Sequence, residues 1–440
     1  MRLSSHLDKG FWTIADKGIL AAYGIVFMLL VIRILPEQEY GNFVLIQNAF
    51  LILSHLGVSL GMAPYVKLYH ENPNRLALQS NALLLFAGFF LGLIMLLWPA
   101  RVALGRLFNS SDFASLFYFL PLLLAASFLK QFTNEIFRAS YKIKAIFWTD
   151  ATLVFSNVLM IGGLVYTRQL DSAYDMLLAM TIAYAASSLV GFILAYRQLA
   201  FGFRTDRGLM RRMFDFGKYT MGSGASSIIY ERADSFIIAA YLDPAAVALF
   251  NAARNFLRVF DFYRQGLALI AFPAFARLHT ERREQDLRAL YEKGIFFSNL
   301  LLLPIVLALI LGADFFFEVL LANRYPEGPR ILRWFALMGL FVSWHSIGES
   351  LLFGIGESKY PFWARLIATI VSLALNIVLV KTFGVIGAVC ATLVSFGLLA
   401  AISTYFVRRH VKFTLRSMLR RWHDGVNFVR KFRSAKSHTK

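Results

Sequence analysis

Apolar stretches of about twenty residues recur from one end of the chain to the other, separated by short segments rich in charge, Gly and Pro. At 1.5 Å per helical residue, each is long enough to cross about 30 Å of hydrocarbon. The pattern predicts helices over 10–34, 40–66, 78–100, 113–136, 145–167, 175–197, 214–241, 245–276, 293–321, 330–353, 361–383 and 386–407. The expectation is an all-α membrane protein with about twelve transmembrane helices. The first apolar run is interrupted by Asp16 and Lys17, closes on "RILPEQEYG" and has no small-residue cleavage site. It reads as a retained span, not a removed leader.

A weak repeat runs through the pattern. "KAIFW" at 144–148 returns as "KYPFW" at 359–363, and "LPEQEYGNF" at 35–43 corresponds in position to "LDPAAVALF" at 242–250. Both pairs fall at equivalent helix boundaries. Two halves of six spans face the same way, which predicts two pseudo-symmetric six-helix lobes, an arrangement in which transporters hold substrate between the halves. The expected division is an N-terminal lobe at 1–200, a cytoplasmic linker at 201–212, a C-terminal lobe at 213–410 and a basic tail at 411–440. Gly387 and Ala391, one turn apart in the last helix, suit close helix packing.

The chain is 58% hydrophobic and 16% charged, outside the range of a soluble domain. Its formal net charge of +19 would suit nucleic acid, but residues 408–440 alone hold eleven Lys and Arg against one acid, Asp424. The excess is a membrane-side feature, and no nucleic-acid partner is expected. Lys and Arg also concentrate in alternate loops, among them Arg138, Lys142, Lys144, Arg204, Arg207, Arg211, Arg212, Arg277, Arg282, Arg283 and Arg288. The positive-inside rule then places both termini in the cytoplasm. The single cysteine, Cys390, lies in an apolar helix and excludes a disulfide framework. No phosphate-cradling glycine loop, nucleophile-elbow serine or cluster of metal ligands is present, so no cofactor, metal or catalytic residue is expected.

Charge inside the spans is the candidate chemistry. In the eighth helix Asn251, Arg254, Arg258, Asp261 and Gln265 recur at steps of 3, 4, 3 and 4, which places them on one helix face. In the seventh, Ser223, Ser227, Glu231 and Asp234 do the same, with Arg232 opposite. Further intramembrane polar groups are Asp16, Lys17, His55, Lys130, Asn134, Asp150, His345 and Glu349. A charge at the bilayer centre costs about 2.5–3.5 kcal/mol on insertion scales, so it faces a partner or water. Two readings compete. In one, the charges are interhelical ion pairs that hold bundles together, which suits Asp16, Asp150 and Arg232 best. In the other, Arg254 and Arg258, with one acid nearby, leave positive charge over, and planar guanidinium forks suit phosphate oxygens.

Three stretches carry a resemblance: "RILPEQEYGNF" at 33–43, "FGKYTMGSGASSIIYERADSFIIAAYLDPAAVALFNAARNF" at 216–256 and "GIGESKYPFWARLIATIVSLALNIVLVKTFGVIGAVCATLV" at 354–394. Together they resemble the polysaccharide-flippase branch of the multidrug/oligosaccharidyl-lipid/polysaccharide exporter superfamily, over essentially the whole chain. The resemblance implies two lobes working by alternating access and export of an undecaprenyl-diphosphate-linked oligosaccharide across a bacterial inner membrane. It singles out Arg254, Arg258 and Lys17 as diphosphate contacts and Asp234 as a pairing or coupling acid; Glu231, Asp261, Asn251 and Gln265, from the two polar faces, are the other expected polar chamber or coupling groups. A polysaccharide polymerase and chain-length machinery are the candidate protein partners.

Leu415, Leu419, Trp422, Val426 and Val429 follow helical spacing among basic residues, so the tail reads as an amphipathic helix on the anionic cytoplasmic leaflet, each base contributing about 1 kcal/mol. A disordered tail that enforces topology is the other reading. Two rival functions remain open at this point. A cation or drug antiporter of the same superfamily would favour an acid-lined chamber, whereas the eighth-helix stripe is net positive. A membrane-embedded polymerase would need a sizeable carboxylate-bearing loop, and none is present.

Overall fold

A computed structural model describes residues 3–108, 110, 112–200, 202–414 and 417–418. Helices follow the apolar runs: α1 Leu3–Phe27, α2 Glu37–Gly57, α3 Ala63–Leu68, α4 Arg75–Leu97, α5 Arg101–Leu107, α6 Phe113–Leu116, α7 Phe119–Ala139, α8 Ile143–Tyr166 and α9 Ala173–Ala195. They continue as α10 Arg207–Tyr241, α11 Pro244–Asn255, α12 Arg258–Thr280, α13 Glu284–Leu311, α14 Ala313–Phe315, α15 Gly328–Ala336, α16 Gly339–Gly354 and α17 Lys359–His410. Among the described residues nine segments are long and apolar enough to cross a membrane. The expected seventh and eighth spans, 214–241 and 245–276, are helical, the second interrupted at 256–257, but are not among the nine. The expected eleventh and twelfth helices fall within α17, which is broken at Gly384 (φ 62°, ψ −142°). That backbone is open essentially to glycine alone, because a Cβ would clash there.

Local chemistry sets the helix ends. Ser172 and Asp175 form a reciprocal capping box at the start of α9, and Asn74 and Asp206 accept from the first turns of α4 and α10 at 3.1 and 2.9 Å. Tyr141, Arg168 and Arg282 take φ of 55°, 56° and 55° just past α7, α8 and α12. After each, the next amide reaches back to Phe137, Leu164 or Leu278, closing the left-handed cap that satisfies the last carbonyls.

The chain divides into two compact units: residues 1–252 with 320–324, and residues 253–319 with 325–440. In the first, α7, α8 and α9 pack together, α1 lies on α8 with Trp12 against Phe147, and α2 meets α9 through Phe50 and Tyr184. Helix α10 runs along α2. There α2 passes into a π-helical turn, Val58–Met62, and the Thr220 hydroxyl donates to the Ser59 carbonyl at 2.7 Å. Gly217 of α10 sits against the Leu60 carbonyl so closely that a Cβ would overlap it.

In the second unit α16 packs against α12, α13 and α17. Its core joins Phe275, Tyr291, Ile347, Leu351 and Val407, with the ring of Phe413 from the segment after α17 tilted against Tyr291. Ser417 donates to the fully buried Glu292 at 2.7 Å, and Arg288 pairs with the same carboxylate at 2.9 Å. Apart from residues 411–414 and 417–418, the expected basic amphipathic tail lies outside the described residues.

Candidate functional site

In the first unit the buried Lys130 and Asp150 neutralise each other. Lys130 Nζ of α7 is 2.5 Å from Asp150 Oδ1 of α8, with both side chains almost fully buried. Around the pair, Thr149 donates to Asn134 at 2.8 Å, and Ser188 accepts from the Lys130 amide at 3.0 Å while donating to the Ala126 carbonyl. Asp16 of α1 interacts with both Asp150 and Lys130. Lys17 stands 3.7 Å from Asp16, and its own side chain is 63% exposed. The predicted diphosphate contact Lys17 is therefore a surface cation of the unit.

The polar face expected on α10 is divided by packing. Asp234 and Ser235 are buried, and Ser235 accepts from Asn251 of α11 at 3.0 Å. Glu231 is exposed. Arg232, opposite them, donates to Asn48 of α2 at 3.1 Å. Sequence reasoning passed over Asn48, a lone amide in an apolar run with nothing nearby in the chain to mark it. Its partner is 184 residues away.

The eighth-helix stripe is not carried on one regular helix. At Phe256 and Leu257 the chain tightens: their amides reach the carbonyls three residues back, Ala253 at 3.2 Å and Arg254 at 3.0 Å. The Phe256 ring is seated against Phe316 and Phe317, which holds the tight turn in place. Arg254 ends α11 half-buried, while Arg258 opens α12 exposed. Each residue in such a turn advances about 120° instead of 100°, so two of them rotate Arg258 about 40° away from the regular position. Asp261 pairs with Arg264 at 3.7 Å.

Beyond the break, the exposed side of α12 includes a row at steps of 3, 4, 4 and 3, Arg258, Asp261, Gln265, Leu269 and Phe272, flanked by the exposed Phe262, Gly266, Ile270 and Pro273. Its first half is polar with a guanidinium at the end. Its second half is apolar, with Leu269 78% and Phe272 46% exposed. One helix face thus carries a cation, then an acid and an amide over about two turns, then about one turn of hydrocarbon. No group of three or more His, Cys, Asp and Glu is gathered among the described residues.

Apolar helices of spanning length, with interior charges paired and charged side chains exposed on helices, define a multi-span α-helical membrane protein. The chain belongs to the polysaccharide biosynthesis protein family, matched over residues 30–330. The matched region contains two of the three stretches that carried the resemblance. Over 201 residues the chain is 22% identical to the probable low-salt glycan biosynthesis flippase Agl15 of Haloferax volcanii, covering 46% of this chain and 43% of that protein. The match therefore spans under half of that relative's length. Among solved structures, the lipid II flippase MurJ in an inward closed conformation superimposes with a TM-score of 0.76 at 17% identity, covering 93% of this chain and 89% of that one. An inward-facing multidrug resistance MATE family transporter of the MOP superfamily gives 0.74 at 15% identity, covering 91% and 94%. These two likenesses establish the fold.

Proposed function

We propose that the protein is a flippase that exports an undecaprenyl-diphosphate-linked oligosaccharide across a bacterial inner membrane by alternating access, supplying surface polysaccharide biosynthesis. In this reading twelve spans form two lobes, 1–200 and 213–410, joined by a linker at 201–212, with both termini cytoplasmic. The observation that carries it is the exposed row of α12, cationic at Arg258, polar through Asp261, which Arg264 pairs, and Gln265, and apolar from Leu269 to Phe272. A lipid diphosphate has the matching order of parts, an anionic head followed by hydrocarbon. A guanidinium binds two phosphate oxygens at once, and in a water-poor site such a charge-assisted contact is stronger than in bulk water. Relatives named as flippases and the family's link to polysaccharide biosynthesis support the same assignment.

Arg258 is the first head-group contact and Arg254 the second, and the reading extends to the exposed ammonium of Lys17. Glu231, Asp234, Asn251, Asp261 and Gln265 serve as pairing or coupling groups. The test is flipping of a fluorescent polyprenyl-diphosphate sugar in proteoliposomes, alongside complementation of a deletion strain. Arg258→Ala and Arg254→Ala are expected to lower export at least tenfold while inserting normally, with Arg258→Ala the more severe because that side chain is exposed. Full complementation by both variants would overturn the assignment.

A further inference from the structure

The second unit holds a polar cluster that anion binding does not use. His345 and Glu349 lie one turn apart on α16, with His345 Nε2 3.6 Å from Glu349 Oε2. Arg365 of α17 holds the other oxygen, Oε1, at 2.5 Å. On its far side His345 Nδ1 faces the Ser403 hydroxyl at 3.4 Å, and the Phe396 ring meets the imidazole edge-on. The His345 side chain is 5% exposed and that of Glu349 16%. Among the described residues the charged groups acting on His345 are Glu349 on its own helix, Arg365 of α17 and Arg264 of α12. From α13 the contact with α16 is apolar, Gly294 against Ile347.

The charges of this cluster sum in an informative way. Glu349 and Arg365 neutralise each other, so the cluster is balanced while the imidazole is neutral. A proton on Nε2 would turn the 3.6 Å contact into a charge-assisted hydrogen bond to Glu349, but would leave one net positive charge in a buried site. Arg264 opposes that charge from α12, where it is paired at 3.7 Å with Asp261 of the exposed stripe. An anion held beside Arg264 would weaken that opposition.

We infer that His345 is a proton-binding site whose occupancy is coupled to an anion held on α12, so that the proton is a co-ligand of the transported diphosphate. The proton comes from water and adds to the Nε2 lone pair; Glu349 accepts the resulting N–H, and no other bond is made or broken. Linkage is reciprocal: if the anion promotes protonation, the proton tightens anion binding by the same factor.

The inference rests on the anion-site reading, and the experiment separates the two. Full-length protein in nanodiscs, weakly buffered at about pH 7, is titrated with farnesyl diphosphate while a pH indicator reports protons taken up. Wild type is expected to take up protons on binding beyond those bound by the ligand alone. His345→Gln should bind within about twofold of wild type at pH 8 and lose that uptake; Glu349→Gln, a second route to the same end, should reduce it. Wild-type uptake by a folded His345→Gln protein overturns the proton site. If farnesyl diphosphate binds neither protein, the anion reading fails and the proton site is judged without ligand. Thermal midpoints between about pH 5 and pH 8 should then differ in pH dependence between wild type and His345→Gln, and identical profiles overturn it.

Discussion

Replacing Lys130 by Ala is expected to be among the most destabilising single changes in the first unit. The ammonium lies 2.5 Å from Asp150, and at an effective dielectric of about 20 this separation corresponds to roughly 7 kcal/mol of attraction. Most of that offsets the cost of taking both charges out of water, so the intact pair contributes little net stability. Removing only the lysine discards the attraction and keeps the cost, which gives a loss of about 3–5 kcal/mol. The neighbourhood makes the loss asymmetric. Asp16 also lies within reach of Lys130 and Asp150. Without Lys130 two carboxyl groups are left together with no buried cation; without Asp150 the lysine still has Asp16. Chemical unfolding of Lys130→Ala, Asp150→Asn and the Lys130→Met/Asp150→Leu double variant in detergent tests this order. Lys130→Ala should cost more than Asp150→Asn, and the double variant less than Lys130→Ala alone. A loss under about 1 kcal/mol for Lys130→Ala, well short of a broken buried pair, would refute the reasoning.

Gly217→Ala should destabilise the first unit by about 1–3 kcal/mol, because the new methyl meets the Leu60 carbonyl across the α2–α10 contact and must push the backbones apart; an unchanged unfolding midpoint would show that the helices are further apart than described. Arg282→Gly should stabilise the second unit by about 1 kcal/mol, since a non-glycine residue occupies the left-handed cap at φ 55°. Tyr141→Gly should gain less, because its ring stacks on His70 with centroids 6.0 Å apart. Equal gains at both positions in the same unfolding assay would remove the stacking argument.

What the sequence showed plainly was whatever repeats at short range. Apolar runs gave the helices, because the bilayer sets their length and leaves little freedom in composition. Gly384 illustrates the next level: the break between the last two helices is visible as "TFGVIG" between apolar runs, and the structure places the one positive φ of α17 there. Pairings over long range were not legible. Nothing in the residues around Asn48 announces Arg232, and nothing near Glu349 announces Arg365, because a hydrogen bond between helices leaves no periodic trace in either strand of sequence. The division of the α10 face had the same cause. Periodicity put Glu231 and Asp234 on one side, but how α10 rests on its neighbours decided that Asp234 is buried and Glu231 exposed.

The tight turn at 256–257 bears most directly on function. Read as one regular helix, Arg254 and Arg258 form a matched pair on a continuous stripe. With Phe256 seated against Phe316 and Phe317, the second arginine is turned out and the first is left half-buried. The aromatic seat thereby converts two similar guanidiniums into unlike ones, one exposed and one half-buried. A break that costs backbone regularity is retained where it aims a cation, and the exposed stripe that follows it, Asp261 to Phe272, gives an amphiphile's remaining length a surface of graded polarity to lie along.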